Sequence, residues 1–248
     1  MFKYLICSAV LLIGFSAQAQ SPATLVVLGP GGPAPAMKEC AKVFSTVQKV
    51  DVQVKAGPMD SWQADIDKAD IFYSGSENMM DSFKDKITAL DRSTIQTHYI
   101  RPSAILVRPG NPLKIKGVKD LVERKIKVMV VNGAGQIGMW EDIVGRLKSA
   151  KALNDFRANI VYEAGNTGEA DKKWKEDSSI EAWLVFNIWG TRNADHATIV
   201  RTEKDLTIYR SMGTALSKGT KHKERAQEFV KFLSEKECKG IFQKQGWM

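Results

Sequence analysis

Cysteine is scarce in this chain, three among 248 residues, and histidine is equally scarce. No cysteine pair stands at zinc-site spacing, His98, His196 and His222 lie far apart, and no H-E-x-x-H segment occurs, so no metal centre is indicated. A G-x-S-x-G nucleophile elbow is also missing. Beyond the first residues no apolar run approaches the roughly 18 residues of a membrane-spanning helix. Acidic residues are in deficit, 28 Asp and Glu against 36 Lys and Arg, a net charge of +8. That excess is dispersed: Lys172, Lys173 and Lys175 are followed by Glu176 and Asp177, as on a solvated helix face. Without an aromatic-interleaved basic stripe, nucleic acid is not an expected partner. What remains is 44% hydrophobic residues with 19 Gly and 8 Pro, a globular composition that excludes collagen and wholesale disorder. The length suits one large domain or two lobes of roughly 100 residues each.

The first residues read as an export signal. Met1-Phe2-Lys3 is a short positive start, Leu5 to Phe15 is apolar, and Ala17-Gln18-Ala19 supplies a small-x-small cleavage pattern. Residues 1–19 are therefore expected to be a signal peptide cut near Ala19, and loss of Lys3 would lower the +8 by one. Cys7 lies too early for a lipoprotein anchor. Two cysteines then remain, in an oxidising compartment. Cys40 shares a helical face with Met37, Ala41 and Phe44, and Cys238 shares one with Phe229, Leu233, Ile241 and Phe242. Each faces a core, and the two either pair, tying the first helix to the last, or stay as buried thiols.

The remaining sequence alternates strand and helix patterns. Strand-like runs are Thr24–Leu28, Val50–Val54, Ala69–Tyr73, Tyr99–Val107, Lys125–Val131, Asn159–Tyr162, Ala182–Phe186 and Leu206–Leu216. Helical patterns cover Ala34 to about Val47, Glu77–Phe83, Gln136 to about Leu147, and the C-terminal stretch holding Cys238. The order predicts an α/β fold with ligand loops at the C-terminal ends of parallel strands. Two units each start with strand, Gly-rich turn and helix, and apolar crossings lie near residues 100 and 210. If Cys40 pairs with Cys238, residues 20–100 and 211–248 form a discontinuous first lobe, residues 101–210 form an inserted second lobe, and a cleft lies between them.

Three strand-to-helix turns are candidate anion sites, because a helix start presents unpaired N–H groups and a positive dipole end. They are the Gly31-Gly32 turn, the Ser74-Gly75-Ser76 turn, and the turn of Gly133, Ala134, Gly135 and Gln136. Arg101, followed by Pro102 at the first crossing, is placed to fork onto a carboxylate or phosphate. Asn187 and Trp189 end a second-lobe strand and are expected at the cleft. Gly133-Ala134-Gly135-Gln136-Ile137-Gly138 also satisfies G-x-G-x-x-G. A dinucleotide reading is disfavoured, since Asn132 lengthens the turn and no acid stands cleanly at the end of the next strand. No cofactor is expected and no catalytic residue is assigned.

Several segments carry a family resemblance: Leu28 to Pro35, Ser74 to Met80, Arg101 to Pro112, Val128 to Gln136 and Ile241 to Trp247. They resemble the accessory colonization factor AcfC/Paa adhesin family, a branch of the periplasmic solute-binding proteins of the molybdate- and sulfate-binding type. The resemblance implies a two-lobed type II periplasmic-binding-protein fold with two crossing strands and no enzymatic activity. It implies a small carboxylate or phosphorylated ligand held by Gly31, Gly32, Ser74, Ser76, Arg101 and the turn from Gly133 to Gln136. A role in colonisation or adhesion, an ABC permease or host-cell surface as partner, and a homodimer belong to the same expectation; so does an adhesin acting through its outer surface.

Overall fold

A computed structural model describes residues 24–248; the expected signal peptide lies outside them. Three short strands, β1 (Thr24–Gly29), β2 (Asp51–Ala56) and β3 (Ile71–Tyr73), run parallel in the order β2-β1-β3. β2 alternates exposed Asp51, Gln53 and Lys55 with half-buried neighbours, as suits a charged sheet edge. The interior strands β5 (Val128–Val131) and β7 (Ala182–Phe186) are buried at every position, which explains their unbroken apolar runs. With β6 (Ile160–Ala164), they form a second parallel group in the order β7-β5-β6.

Strand β4 (Gln96–Val107) joins the two groups by changing partners along its length. Residues Gln96 to Pro102 pair antiparallel with β9 (Tyr209–Leu216), which also pairs with β3. Residues Ser103 to Val107 pair instead with β7, and Ala104 to Val107 also pair with β8 (Thr198–Arg201) on the other side. Arg101 is thus among the last residues bound to the first half of the sheet.

Helix α1 (Ala34–Gln48) follows β1, with Pro35 in its first turn, where the missing N–H has no partner to lose. Its buried face is Met37, Cys40, Ala41 and Phe44, the spacing expected. The C-terminal stretch forms two helices, α8 (Lys223–Phe232) and α9 (Lys236–Lys244), where one had been expected. The bend between them lets Phe229 and Phe232 meet Phe44, with centroids 5.1 and 5.3 Å away, while Phe242 stacks on Tyr99 at 4.1 Å. Cys40 and Cys238 form a disulfide, Cα atoms 5.4 Å apart across 198 residues of sequence. After α9, Ile100 and Met248 exchange backbone hydrogen bonds of 3.1 and 2.8 Å, which seats Trp247 against β4.

The helix expected from Gln136 is displaced. Residues Ala134–Gln136 form a single 3-10 turn, and helix α4 (Met139–Gly145) starts only after Gly138, whose φ of 70° breaks the helical path. The G-x-G-x-x-G segment therefore does not open a helix as the dinucleotide fingerprint requires. Further helices in this half include α5 (Ala150–Asn159), α6 (Thr167–Glu176) and α7 (Asn187–Arg192), with the short α2 (Glu77–Lys86) and α3 (Val118–Glu123) earlier in the chain. β8 was not anticipated, and β9 starts at Tyr209, Leu206 and Ile208 being buried in the approach to it.

Closing a loop of this length by a disulfide contributes at most about 5 kcal/mol through the unfolded state. Replacing both Cys40 and Cys238 with Ala is expected to lower the unfolding free energy by about 2–5 kcal/mol and to raise the denaturant m-value, because the unfolded chain expands without the cross-link, as read from guanidinium titration. His98 yields a pH test. Its Nδ1 lies 3.1 Å from Ser234 Oγ and its Nε2 2.9 Å from Thr214 Oγ1, and burial lowers its pKa to about 4. An unfolded chain takes up this proton near pH ~6.5. It therefore binds more protons than the fold between those values, and stability declines as pH falls from 6.5 to 4. The loss is on the order of 2–3 kcal/mol. His98→Gln is expected to flatten that part of the profile in urea titrations at several pH values.

Candidate functional site

Arg101 is 4% exposed, with no carboxylate at ion-pair distance among the described residues. Its Nη2 donates to the Gly75 carbonyl at 2.7 Å, its plane lies 4.2 Å from the Phe186 ring and 5.0 Å from that of Trp247, and its Nε has no partner. Burial and the nearby Arg192 push its pKa down to about 9, with Glu77 opposing them, so the group is still cationic at neutral pH. Glu77 does not neutralise it directly, since its Oε1 accepts from the Ser211 N–H at 2.9 Å. A charge removed from water without a counter-charge is costly, and an anion in contact would remove that cost.

Glycine lets the backbone crowd this guanidinium. A Cβ on Gly32 would lie 3.1 Å from Arg101 Nη1, and one on Gly75 would lie 3.4 Å from Nη2. The Gly31-Gly32 turn is held from the other half of the molecule by Arg192 at the end of α7. Arg192 Nη1 donates to the Gly31 carbonyl at 3.1 Å and Nη2 donates to that of Gly32. A trans peptide sets N–H opposite C=O, so holding the Gly31 carbonyl on Arg192 turns the Gly32 N–H away from it. Arg192 stacks 4.7 Å from the Trp189 ring, and burial lowers its pKa to about 10, opposed by Asp171.

The facing wall comes from the second half of the sheet. Gly135 approaches Ser76 so closely that a Cβ would sit 2.6 Å from Ser76 Oγ. Gln136 is buried; its Nε2 donates to Thr167 Oγ1 at 2.8 Å while its Oε1 has no partner. Asn166 caps α6 by accepting the Glu169 N–H at 3.0 Å, and the following Thr167 and Gly168 reach the same space. Trp189 closes one side, its indole N–H without a partner.

These residues enclose a cleft of about 510 Å³. Of the residues expected at a site, Gly31, Gly32, Arg101, Gly135, Gln136 and Trp189 line it. Ala134 supplies backbone to the same 3-10 turn. Ser74 and Ser76 are buried behind the wall, where Ser76 Oγ accepts from the Met79 N–H at 3.1 Å as the N-cap of α2. Gly133 packs against the Gly165 carbonyl, and Asn187 donates from Nδ2 to the Gly246 carbonyl at 2.7 Å, so both support the wall from behind. Arg192 and the Asn166-Thr167-Gly168 turn were not anticipated. The turn had a sequence signal, an N-x-x-E cap directly after a strand, whereas Arg192 had none. Among the described residues that line the cleft none is acidic, and the charged ones are Arg101 and Lys86. Among the described residues no group of three potential metal ligands exists.

Comparison with curated protein sequences finds no match. Among solved structures, PEB3 of Campylobacter jejuni with bound L-phospholactate is 36% identical, with a TM-score of 0.84 over 90% of this chain and 98% of that one. A periplasmic molybdate-binding protein of Azotobacter vinelandii is 15% identical, TM-score 0.69, over 90% of this chain and 98% of that one. The sulfate-binding protein SubI of Mycobacterium tuberculosis is 14% identical, TM-score 0.77, over 91% and 86%. The latter two share the fold, which is the two-lobed type II periplasmic-binding-protein architecture implied by the resemblance. Residues 25–248 match the family model of the bacterial extracellular solute-binding proteins, and the chain belongs to that family of binders rather than to a family of enzymes.

Proposed function

We propose that this protein captures an organic anion, a carboxylate or phosphate ester, in the cleft between its lobes. The observation that carries this reading is the buried Arg101 guanidinium, without a carboxylate partner and bordered by glycine turns. Gly31, Gly32, Arg101, Gly135 and Gln136 contact the ligand, while Ser74, Ser76, Gly133, Ala134 and Asn187 shape the walls. Among the described lining residues none is acidic, which disfavours amines and zwitterions. The 36% identical PEB3, solved with L-phospholactate, supports a phosphorylated organic acid over a bare tetrahedral oxyanion. Residues 20–100 with 211–248 form one lobe and residues 101–210 the other. Export through residues 1–19 places the protein in the periplasm or at the cell surface, where an ABC permease is the natural receiver of the captured ligand.

Thermal-shift screening of carboxylates and phosphate esters tests the reading. A ligand at 100 times its Kd adds about 2.7 kcal/mol to stability. Arg101→Met retains an apolar stem between Phe186 and Trp247 but removes the charge. It is expected to abolish every ligand-induced shift while raising the stability of the unliganded protein by about 1 kcal/mol, because an uncompensated buried cation is gone. Failure of all such anions to stabilise the wild-type protein would sink the proposal. Arg192→Gln is expected to weaken the same ligand roughly 10-fold or more by releasing the Gly31 and Gly32 carbonyls, a loss of charge-assisted hydrogen bonds measurable by calorimetry.

A further inference from the structure

The cleft is longer than an anionic head requires, and its outer part differs in chemistry from its inner end. One face of α2 lines it continuously, from Gly75 just before the helix through Asn78, Met79, Ser82 and Phe83 to Lys86. At the helical rise, the eleven steps from Gly75 to Lys86 span about 16 Å. Arg101 stands at the Gly75 end, fixed by its bond to that carbonyl, and the exposed Lys86 marks the mouth.

Between these ends the walls are chiefly apolar. Met59 and Trp62 face the cleft from the segment after β2, and Trp62 meets Phe83 edge-on at 5.7 Å. The indole N–H of Trp62 is engaged by the Gly57 carbonyl at 3.2 Å and the residue is 1% exposed, so the ring backs the wall behind Met59 and Met79 and adds no polar group to it. From the opposite lobe Ile137 borders the same space and is 61% exposed, an unusual setting for a large aliphatic side chain beside polar turns. The apolar side chains of Ile137, Met59 and Met79 border the cleft, and covering them with apolar ligand surface is favourable.

Resting on the anion-binding reading, we propose that the ligand is an amphiphilic organic anion. Its phosphate or carboxylate head meets Arg101, and an apolar body of several carbons runs along α2 between Met59, Met79, Phe83 and Ile137 toward the mouth. The head supplies orientation, and the body supplies affinity in proportion to the apolar surface it buries.

Titration calorimetry with n-alkyl phosphates from methyl to hexyl tests this on the full-length mature protein. Affinity is expected to climb by up to about 4-fold per methylene for each carbon that is fully buried, and to level off once the chain reaches the mouth. Ile137→Ser combined with Met59→Ser alters an exposed side chain and a half-buried one; the double variant is expected to flatten the climb and leave methyl phosphate affinity unchanged. Affinity that is flat or falling from methyl to hexyl, with methyl phosphate still bound, overturns the apolar body and spares the anion site. Binding of neither alkyl phosphates nor phospholactate overturns both.

Discussion

The arrangement turns on a single buried cation. Arg101 projects from the strand that belongs to both halves of the molecule, at the point where its hydrogen-bond partners change from β9 to β7 and β8. A guanidinium so placed needs a flat, polarisable bed and donor outlets. Phe186 from one half and Trp247 from the other provide the bed, and the Gly75 carbonyl takes one N–H. The charge itself is left without a carboxylate, and the proposed anion site rests on that.

Around that charge the backbone is arranged by absences as much as by contacts. Gly32, Gly75 and Gly135 stand where a methyl group would crowd Arg101 or Ser76, so close approach of the turns depends on those positions having no side chain. Arg192 adds a second cation across the cleft boundary, engaged with two carbonyls rather than with an acid. Burial lowers the proton affinity of both arginines, and Arg192 lowers that of Arg101 further, while Glu77 and Asp171 oppose the shifts from behind the cleft lining. The Ser76 hydroxyl caps the first turn of α2, and α2 in turn forms the long wall of the cleft.

Much of the fold was legible because it rests on short-range periodicity. The faces of Cys40 and Cys238 were readable from helical spacing, and the structure joins them as a disulfide that ties the end of the chain to its beginning. Strands β5 and β7 showed themselves as apolar runs because they are buried on both sides. The errors came where tertiary packing overrode a local pattern. Gly138 in a left-handed conformation ends the turn expected to continue as a helix, and α8 and α9 bend apart so that two aromatic faces reach different neighbours. Arg192 was invisible for the same reason, since its partners at Gly31 and Gly32 lie about 160 positions away.

The amino-acid order by itself determined the alternation of strand, glycine-bearing turn and helix, the core faces of both cysteines, and the place of Arg101 at the head of an apolar run. Each of these depends on residues a few positions apart, where backbone geometry and side-chain polarity act directly. Tertiary structure alone decided which turns meet, that Ser76 supports while Gly135 lines, and that a methionine- and aromatic-walled channel leads away from the arginine. Those outcomes depend on β4 exchanging partners and carrying two halves of the chain to opposite sides of one guanidinium, a long-range constraint that no local window of sequence contains.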